Sequence, residues 1–397
     1  MKKEIPIKKD KTKKQSSKQS KKIDNAVEHN NKLVKRDKLL LQPKDFTPSF
    51  TDWTVEGILN PAAIRLPNKK IMLYARVAES GGVDQKQMKT CPVISTEEDY
   101  KTHFSEVNKG KFFKMGGNIV RVNDGTCRLT TLSHFRKIIL SEDGFTVEKI
   151  YQEPVFTGKV GDGKYGVEDP RLTFIKDEKT YAMTYVVVNE KEGVCTSLAT
   201  TKDITSDIWE RKGIIFREQN KDAFLFPEKI NREYIALHRP EGFFHFSKPS
   251  IWISHSKDLI YWGKEKVIMA PRENSWEQDR IGSGAPPIKT KEGWLLIYHG
   301  VRNIDDKGHY SAGAALLDLK DPTKVIARSP KDEPLLTPTS SYEAEGFIDN
   351  VVFPTGAILD LDKKHLLIYS GGADKIISVK KILIDDILKH MKKTDLH

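Results

Sequence analysis

From residue 62 onward, apolar runs and charged turns follow one another in a pattern that recurs five times. An apolar strand, a charged turn and a second strand bearing Tyr or Trp appear as AAIRLPNKKIMLYARV (62–77), DPRLTFIKDEKTYAMTYVVV (169–188), FPEKINREYIALHRP (226–240), PPIKTKEGWLLIYHGV (286–301) and FPTGAILDLDKKHLLIYSGG (353–372). Apolar runs separated by short charged turns predict β-hairpins. A further strand follows each hairpin: FRKIILSEDGF (135–145), SLATTKDI (197–204), IWISHSKDLIYW (251–262), YSAGAALLDLKDP (310–322) and KIISVKKILIDD (375–386). A unit of three or four strands cannot cover both its faces alone, so the copies must stack, and radial stacking predicts an all-β, five-bladed β-propeller.

A pair of β-sandwiches would also suit short, evenly spaced strands. The propeller is preferred because polar residues recur at equivalent strand ends: Arg76, Asp169, His238 with Arg239, His299, and Asp374. In a propeller these converge at the mouth of the axial channel. An insertion around residues 79–130 stretches the first unit and predicts a loop over one face, where ligands enter.

The first 44 residues break the pattern, and the charge changes with them. They hold 15 Lys/Arg against 5 Asp/Glu, whereas the whole chain has 66 against 55, so the body from Asp45 to His397 is nearly neutral. A Lys/Ser/Gln-rich segment poor in aromatics cannot offset the entropy of ordering, which predicts disorder over residues 1 to about 30. Residues 32–41 are expected to form one short helix against the body. The expected division is thus a basic extension, 1–44, and a propeller domain, 45–397. With no aromatic interleaved among the lysines, the tail is expected to have no specific nucleic-acid partner.

No apolar run approaches the roughly 20 residues of a membrane span. Met1 to Asp24 contain no apolar signal core, so the expected compartment is the cytoplasm. Cys91, Cys127 and Cys195 are widely spaced and outside any CxxC arrangement, which argues against a disulfide framework or a structural zinc site.

The most distinctive chemistry lies in GVEDPRL (166–172), where Glu168, Asp169 and Arg171 crowd a proline-constrained strand start. Two carboxylates beside a guanidinium have opposed effects on each other's proton affinity, so one can serve as an acid. Alone, an Asp-Pro at a strand start is more often a turn. Arg239, Arg280, His299 and Tyr310, in LHRP, DRIGSGAPPI, YHGV and GHYSAGAALLDL, have the chemistry of an oxyanion cradle. The competing reading is ion pairing with Glu168, Glu343 or Asp349. GSG at 282–284 lacks both P-loop and dinucleotide spacing, which disfavours nucleotide binding. The carboxylates lack the clustering of a divalent metal site, so no metal is expected.

Taken in order, GVEDPRL, NKDAFLFPEKI, LHRP, RIGSGAPPI, GWLLIYHGV, RSPKDEPLL, EGFIDNVVFPTG and YSGGAD resemble glycoside hydrolase family 130, the family of β-mannoside phosphorylases and some β-mannosidases built as five-bladed propellers. The similarity runs from about Asn60 to Asp374 and is densest from Gly166 onward. It implies an enzyme that cleaves terminal β-mannosides, β-1,2- or β-1,4-linked, by inverting phosphorolysis, releasing α-mannose 1-phosphate. Asp169 is then the proton donor, acting through a sugar hydroxyl. Arg239, Arg280, His299 and Tyr310 hold phosphate, and Asn60, Arg76, Glu343 and Asp374 hold the mannosyl unit. Tyr165 or Phe244 would stack on sugar, while Lys229 is structural. Arg280 stands where the family commonly has Lys, exchanging a point donor for a fork. The implied partners are the manno-oligosaccharide and inorganic phosphate as co-substrate, with no cofactor and with homo-oligomerisation left open. Two alternatives are an inverting hydrolase whose second carboxylate is Glu168 or Glu345, and a catalytically silent glycan-binding propeller.

Overall fold

Strand two of each hairpin is apolar on both faces, and that double burial dictates the architecture. In Ile71–Ser80, Ile71, Leu73, Ala75 and Val77 enter one core, while Met72 and Tyr74 enter another on the opposite side. A strand covered on both faces must lie inside a stack of sheets.

The computed structural model describes residues 33–81, 88–95, 102–108, 112–122, 124–242 and 246–393. Their main body is five antiparallel sheets. Blade one runs Thr54–Arg65, Ile71–Ser80, Leu132–Leu140, Val147–Ile150. Blade two is Val167–Ile175, Thr180–Asn189, Gly193–Thr201, Glu210–Phe216. Blade three is Asn220–Leu225, Tyr234–Pro240, Ile251–Ser256, Trp262–Met269. Blade four is built on Arg280–Ser283, Trp294–Ile304, Lys307–Leu317, Val325–Arg328. Blade five consists of Val352–Leu359, His365–Gly372, Ile376–Leu383 and, as its outermost strand, Val34–Leu41 from the start of the chain. The leading strands of blades five, one, two, three and four touch in turn around the axis, and Val352–Leu359 of blade five closes on blade four through Trp294–Ile304 and Lys307–Leu317. Five apolar clusters fill the five blade interfaces, one per interface.

The helix expected over 32–41 is therefore a strand, and the propeller takes in part of the segment assigned to the 1–44 extension. Val34 pairs with Ile382 and Leu41 with Ile377. Only Leu40 and Leu41 are buried, and Arg36 and Lys38 face outward. Charged residues on an outermost strand are a common protection against edge-to-edge association. The tail expected to be disordered lies outside the described residues.

The insertion in blade one forms two small sheets of its own, Met88–Ile94 with Thr102–Asn108, and Phe112–Gly116 with Ile119–Val122 and Cys127–Leu129. Ile94 packs with Trp53 and Leu132, which fastens this layer to blade one.

One device recurs along the axis. The leading strands of blades one, two, three and five each slip register, at Leu59/Ala62, Glu168/Arg171, Lys221/Phe224 and Pro354/Gly356. In the first three the slip coincides with a left-handed residue, Asn60 (φ 49°), Asp169 (φ 51°) and Asp222 (φ 57°). Asn and Asp tolerate this conformation better than other side-chain-bearing residues, and a bulge there re-aims the side chain.

Candidate active site

Those bulged residues line one cavity at the mouth of the axis. Its wall comprises Asn60, Arg76, Glu168, Asp169, Lys221, Asp222, Arg239, Arg280, His299, Tyr310, Val351, Phe353 and Asp374. The structure thus brings together eight of the nine residues selected from sequence.

On the side of blades one, two and five, three carboxylates gather about one guanidinium. Arg76 donates to Asp169 Oδ1 at 3.0 Å, to Glu168 Oε1 at 2.7 Å and to Ser133 Oγ at 3.0 Å. Asn60 Nδ2 donates to the same Asp169 oxygen at 2.8 Å. Burial pushes the Asp169 pKa up, but Arg76, Arg171 and the Asn60 hydrogen bond outweigh it and hold the carboxyl below its usual range. Asp374 sits on the left-handed turn after Gly372 and has the opposite balance. Burial raises its pKa to about 6; Arg76 opposes this, and the charges of Asp169 and Glu168 add to it.

On the side of blades three and four the charges are reversed. Asp222, fully buried, accepts from Arg239 Nε at 2.6 Å and lies 3.6 Å from both Arg171 Nη2 and His299 Nε2. Burial disfavours its charge, but Arg239, His299 and Arg171 together keep its pKa low. Arg239 also donates to Glu241, which lies 3.6 Å from Arg280. Arg280 in turn donates to the Tyr310 hydroxyl. Burial lowers the His299 pKa to about 3, so its ring is neutral. A Cβ at Gly282 would collide with Asp222 and His299, which accounts for glycine in GSG. Arg280 Nε, His299 Nδ1 and Asn60 Oδ1 are buried without a protein hydrogen-bond partner.

Glu343 is the exception among the expected site residues. It is buried in an ion pair with Lys380, hydrogen-bonded by Ser378, and does not line the cavity. The ring of His238 also turns away: it stacks on Phe216 and bonds Asn220 and Ser254 inside blade three. Tyr165 packs beneath the insertion with Val93 and Leu129, away from the cavity. Phe244 lies outside the described residues. Lys229 pairs with Glu178 at the surface. Nor do the cradle residues pair with Glu343 or Asp349 as the competing reading had it; their partners are Asp222 and Glu241.

Lys221, Asp222, Val351 and Phe353 are the wall residues that sequence reasoning missed. Asp222 was detectable: in NKDAFL it holds the place that Asn60 has in LNPAAI and Asp169 in VEDPRL. Among the described residues, the one group with metal-ligand spacing is Asp360, Asp362 and His365. It lies away from the cavity and is engaged by Lys381 and Arg65.

Fold and cavity define a class: a propeller whose axial mouth sets a carboxylate cluster suited to sugar hydroxyls against a cationic cluster suited to an oxyanion. A sequence profile described as beta-1,4-mannooligosaccharide phosphorylase matches residues 132–393. A beta-1,2-mannobiose phosphorylase from Listeria innocua is 35% identical over 360 residues, covering 89% of this chain and 96% of that protein. A 1,2-beta-oligomannan phosphorylase from Thermoanaerobacter is 43% identical over 250 residues, 62% of this chain and 78% of that protein. The solved Listeria innocua enzyme in complex with beta-1,2-mannobiose superposes with a TM-score of 0.79 at 34% identity, over 88% of this chain and 96% of that one. The chain belongs to glycoside hydrolase family 130.

Proposed function

We propose that this protein is an inverting β-mannoside phosphorylase acting on β-1,2-linked manno-oligosaccharides. The observation that carries the reading is the division of the cavity, carboxylates on one side and Lys221, Arg239 and Arg280 on the other. An inverting hydrolase uses two carboxylates, one of which activates water. Here Glu168 is tied to Arg76, and Glu345 is exposed and outside the cavity. Phosphate needs no activating base, only cations to hold it in line.

The steps balance. A phosphate oxygen attacks the anomeric carbon as the glycosidic C–O bond breaks, and the departing oxygen takes a proton supplied by Asp169 through a sugar hydroxyl. That proton enters with hydrogen phosphate, which gives it to Asp169 before the bond breaks, and the products are α-mannose 1-phosphate and a chain one unit shorter. Asp169 is ionised in the free protein, being held low by Arg76 and Arg171. An arriving phosphate adds negative charge nearby and raises its proton affinity. The nucleophile thereby loads the acid.

Preference for β-1,2 linkages rests on the relatives: 35% and 43% identity to the two named for β-1,2 substrates, 32% over 72% of the chain to one from Ruminococcus albus named beta-1,4-mannooligosaccharide phosphorylase. Among the described residues no helix is long and apolar enough to cross a membrane. A cytoplasmic site of action belongs to the same proposal, since a charged sugar phosphate is retained where it is made.

Incubation with β-1,2-mannobiose, with and without phosphate, tests the reading. Phosphate-dependent appearance of α-mannose 1-phosphate is expected; equal mannose release without phosphate overturns it.

A further inference from the structure

Guanidinium groups taken out of water need counter-charges even before a ligand arrives. In the cationic half of the cavity two carboxylates supply them, and the two are differently built. Asp222 is 1% exposed, sits on its left-handed bulge at φ 57° and accepts from Arg239 Nε at 2.6 Å, so the backbone fixes it in place. Glu241 follows the strand Tyr234–Pro240 and precedes the exposed Gly242. Its backbone N–H donates to the Gln219 carbonyl at 2.8 Å, while its longer side chain remains 21% exposed. The main chain is anchored and the carboxylate lies at the solvent boundary.

Glu241 also bridges the cradle. Its Oε2 accepts from Arg239 Nη1, and its Oε1 lies 3.6 Å from Arg280 Nη1, so each oxygen faces one guanidinium. Burial pushes its pKa up, but Arg239, Arg280 and Lys221 outweigh this and hold the carboxyl below its usual range. The three cations that line the cavity therefore all act on one ionised side chain. Arg280 Nε meanwhile is buried with no acceptor in the protein. An incoming anion must bond these cations better than the carboxylate does. Hydrogen phosphate brings two charges and more acceptor oxygens, whereas chloride or nitrate brings a single charge and gains nothing in the exchange. Selectivity is a difference of affinities, and a repulsive element set against the wrong ligand contributes to it as an attractive one does for the right ligand.

We propose that Glu241 is a specificity-determining residue, a built-in competitor anion that holds Arg239 and Arg280 until a doubly charged oxyanion displaces it, and that excludes monovalent anions from the cradle. The assignment rests on the phosphorolysis reading and deepens it.

The test measures the phosphate KM, with β-1,2-mannobiose as co-substrate, for wild type, Glu241→Gln and Glu241→Ala, and repeats each in chloride and in a bulky organic anion at equal ionic strength. Loss of a partly exposed competing ion pair is expected to lower the phosphate KM about three- to tenfold in both variants, with the mannobiose KM within about twofold of wild type. Chloride is expected to inhibit both variants and to leave wild type unaffected. Thermal melts of the two variants check the fold. A carboxylate that merely orients Arg239 predicts the opposite sign, a higher phosphate KM with no new sensitivity to chloride. That result, or an unchanged phosphate KM in both variants, overturns the proposal while leaving phosphorolysis standing. Mannose release by wild type that is equally fast without phosphate overturns the phosphorolysis reading and this proposal with it.

Discussion

The two sides of the axial cavity are near mirror images in charge. On one, the guanidinium of Arg76 serves Glu168 and Asp169 and faces Asp374; on the other, the carboxylate of Asp222 serves Arg239, which Glu241 also engages, and faces Arg171 and His299. Asp222 is buried and Arg76 largely so, and each is outnumbered by groups of opposite sign, Asp222 by Arg239 and Arg171 with His299 neutral beside them. On the proposed reading the surplus negative side is completed by hydroxyl donors and the surplus positive side by an anion, so the same arithmetic run with opposite signs would select two different substrates. Arg171 joins the sides, bonding the Asp169 carbonyl at 2.8 Å while lying 3.6 Å from Asp222.

The comparison is broken most severely at Asp169. Asp169→Asn keeps the shape and tolerates the left-handed φ, so the fold should survive while kcat falls about 10²-fold or more, as expected for loss of an acid; thermal melts and single-turnover rates check both halves. Next is Arg239→Lys on the opposite side. Lysine keeps the charge but cannot bond Asp222 and Glu241 as a fork, so the phosphate KM should rise at least about tenfold, with the mannobiose KM little changed. Asp374→Asn comes third. The folded-state pKa of Asp374, about 6, lies above its ordinary value of 3.8, so the native state binds this proton more tightly. The associated stability is fully present below about pH 4 and is lost as pH rises through 6, on the order of 2 kcal/mol once partial exposure is allowed for. In wild type the mannobiose KM should rise as pH falls through 6, when the carboxylate stops accepting from a hydroxyl. The Asn variant should lose both pH dependences, which steady-state profiles and melts across pH 4–8 would reveal. Smallest is Lys221→Met: this partly buried cation lines the cavity, and its loss should raise the phosphate KM only about two- to threefold and weaken its salt dependence.

Most of the fold was readable because propeller strands two and three are doubly buried. Runs such as IMLYARV and AGAALL report a two-sided apolar environment whatever their partners. The outermost strands were not readable: VEKI (147–150) and ERKGIIF (210–216) have one face in solvent, and their composition resembles that of turns. The strand Val34–Leu41 was misread as a helix because its partner lies at the other end of the chain. At the site, Arg76, Asp169 and Asp374 stood out as polar residues at equivalent strand ends, whereas Asn60 and Glu343 were named through the family resemblance alone. Asn60 lines the cavity and Glu343 does not. What makes Glu343 structural is Lys380, 37 residues away on another strand, and spacing along the chain carries no trace of that ion pair.

The outermost strand of blade five carries a consequence for biogenesis. Val34–Leu41 is synthesised before blades one to four, yet its pairing partner, Ile376–Leu383, is made after them. The annulus cannot be sealed until the fifth blade has been made, and contacts so distant in sequence are slow to form. Truncation at the carboxyl end should therefore strand the amino-terminal segment as an unsatisfied edge, and a circular permutant opened between two intact blades should assemble by a different order of events.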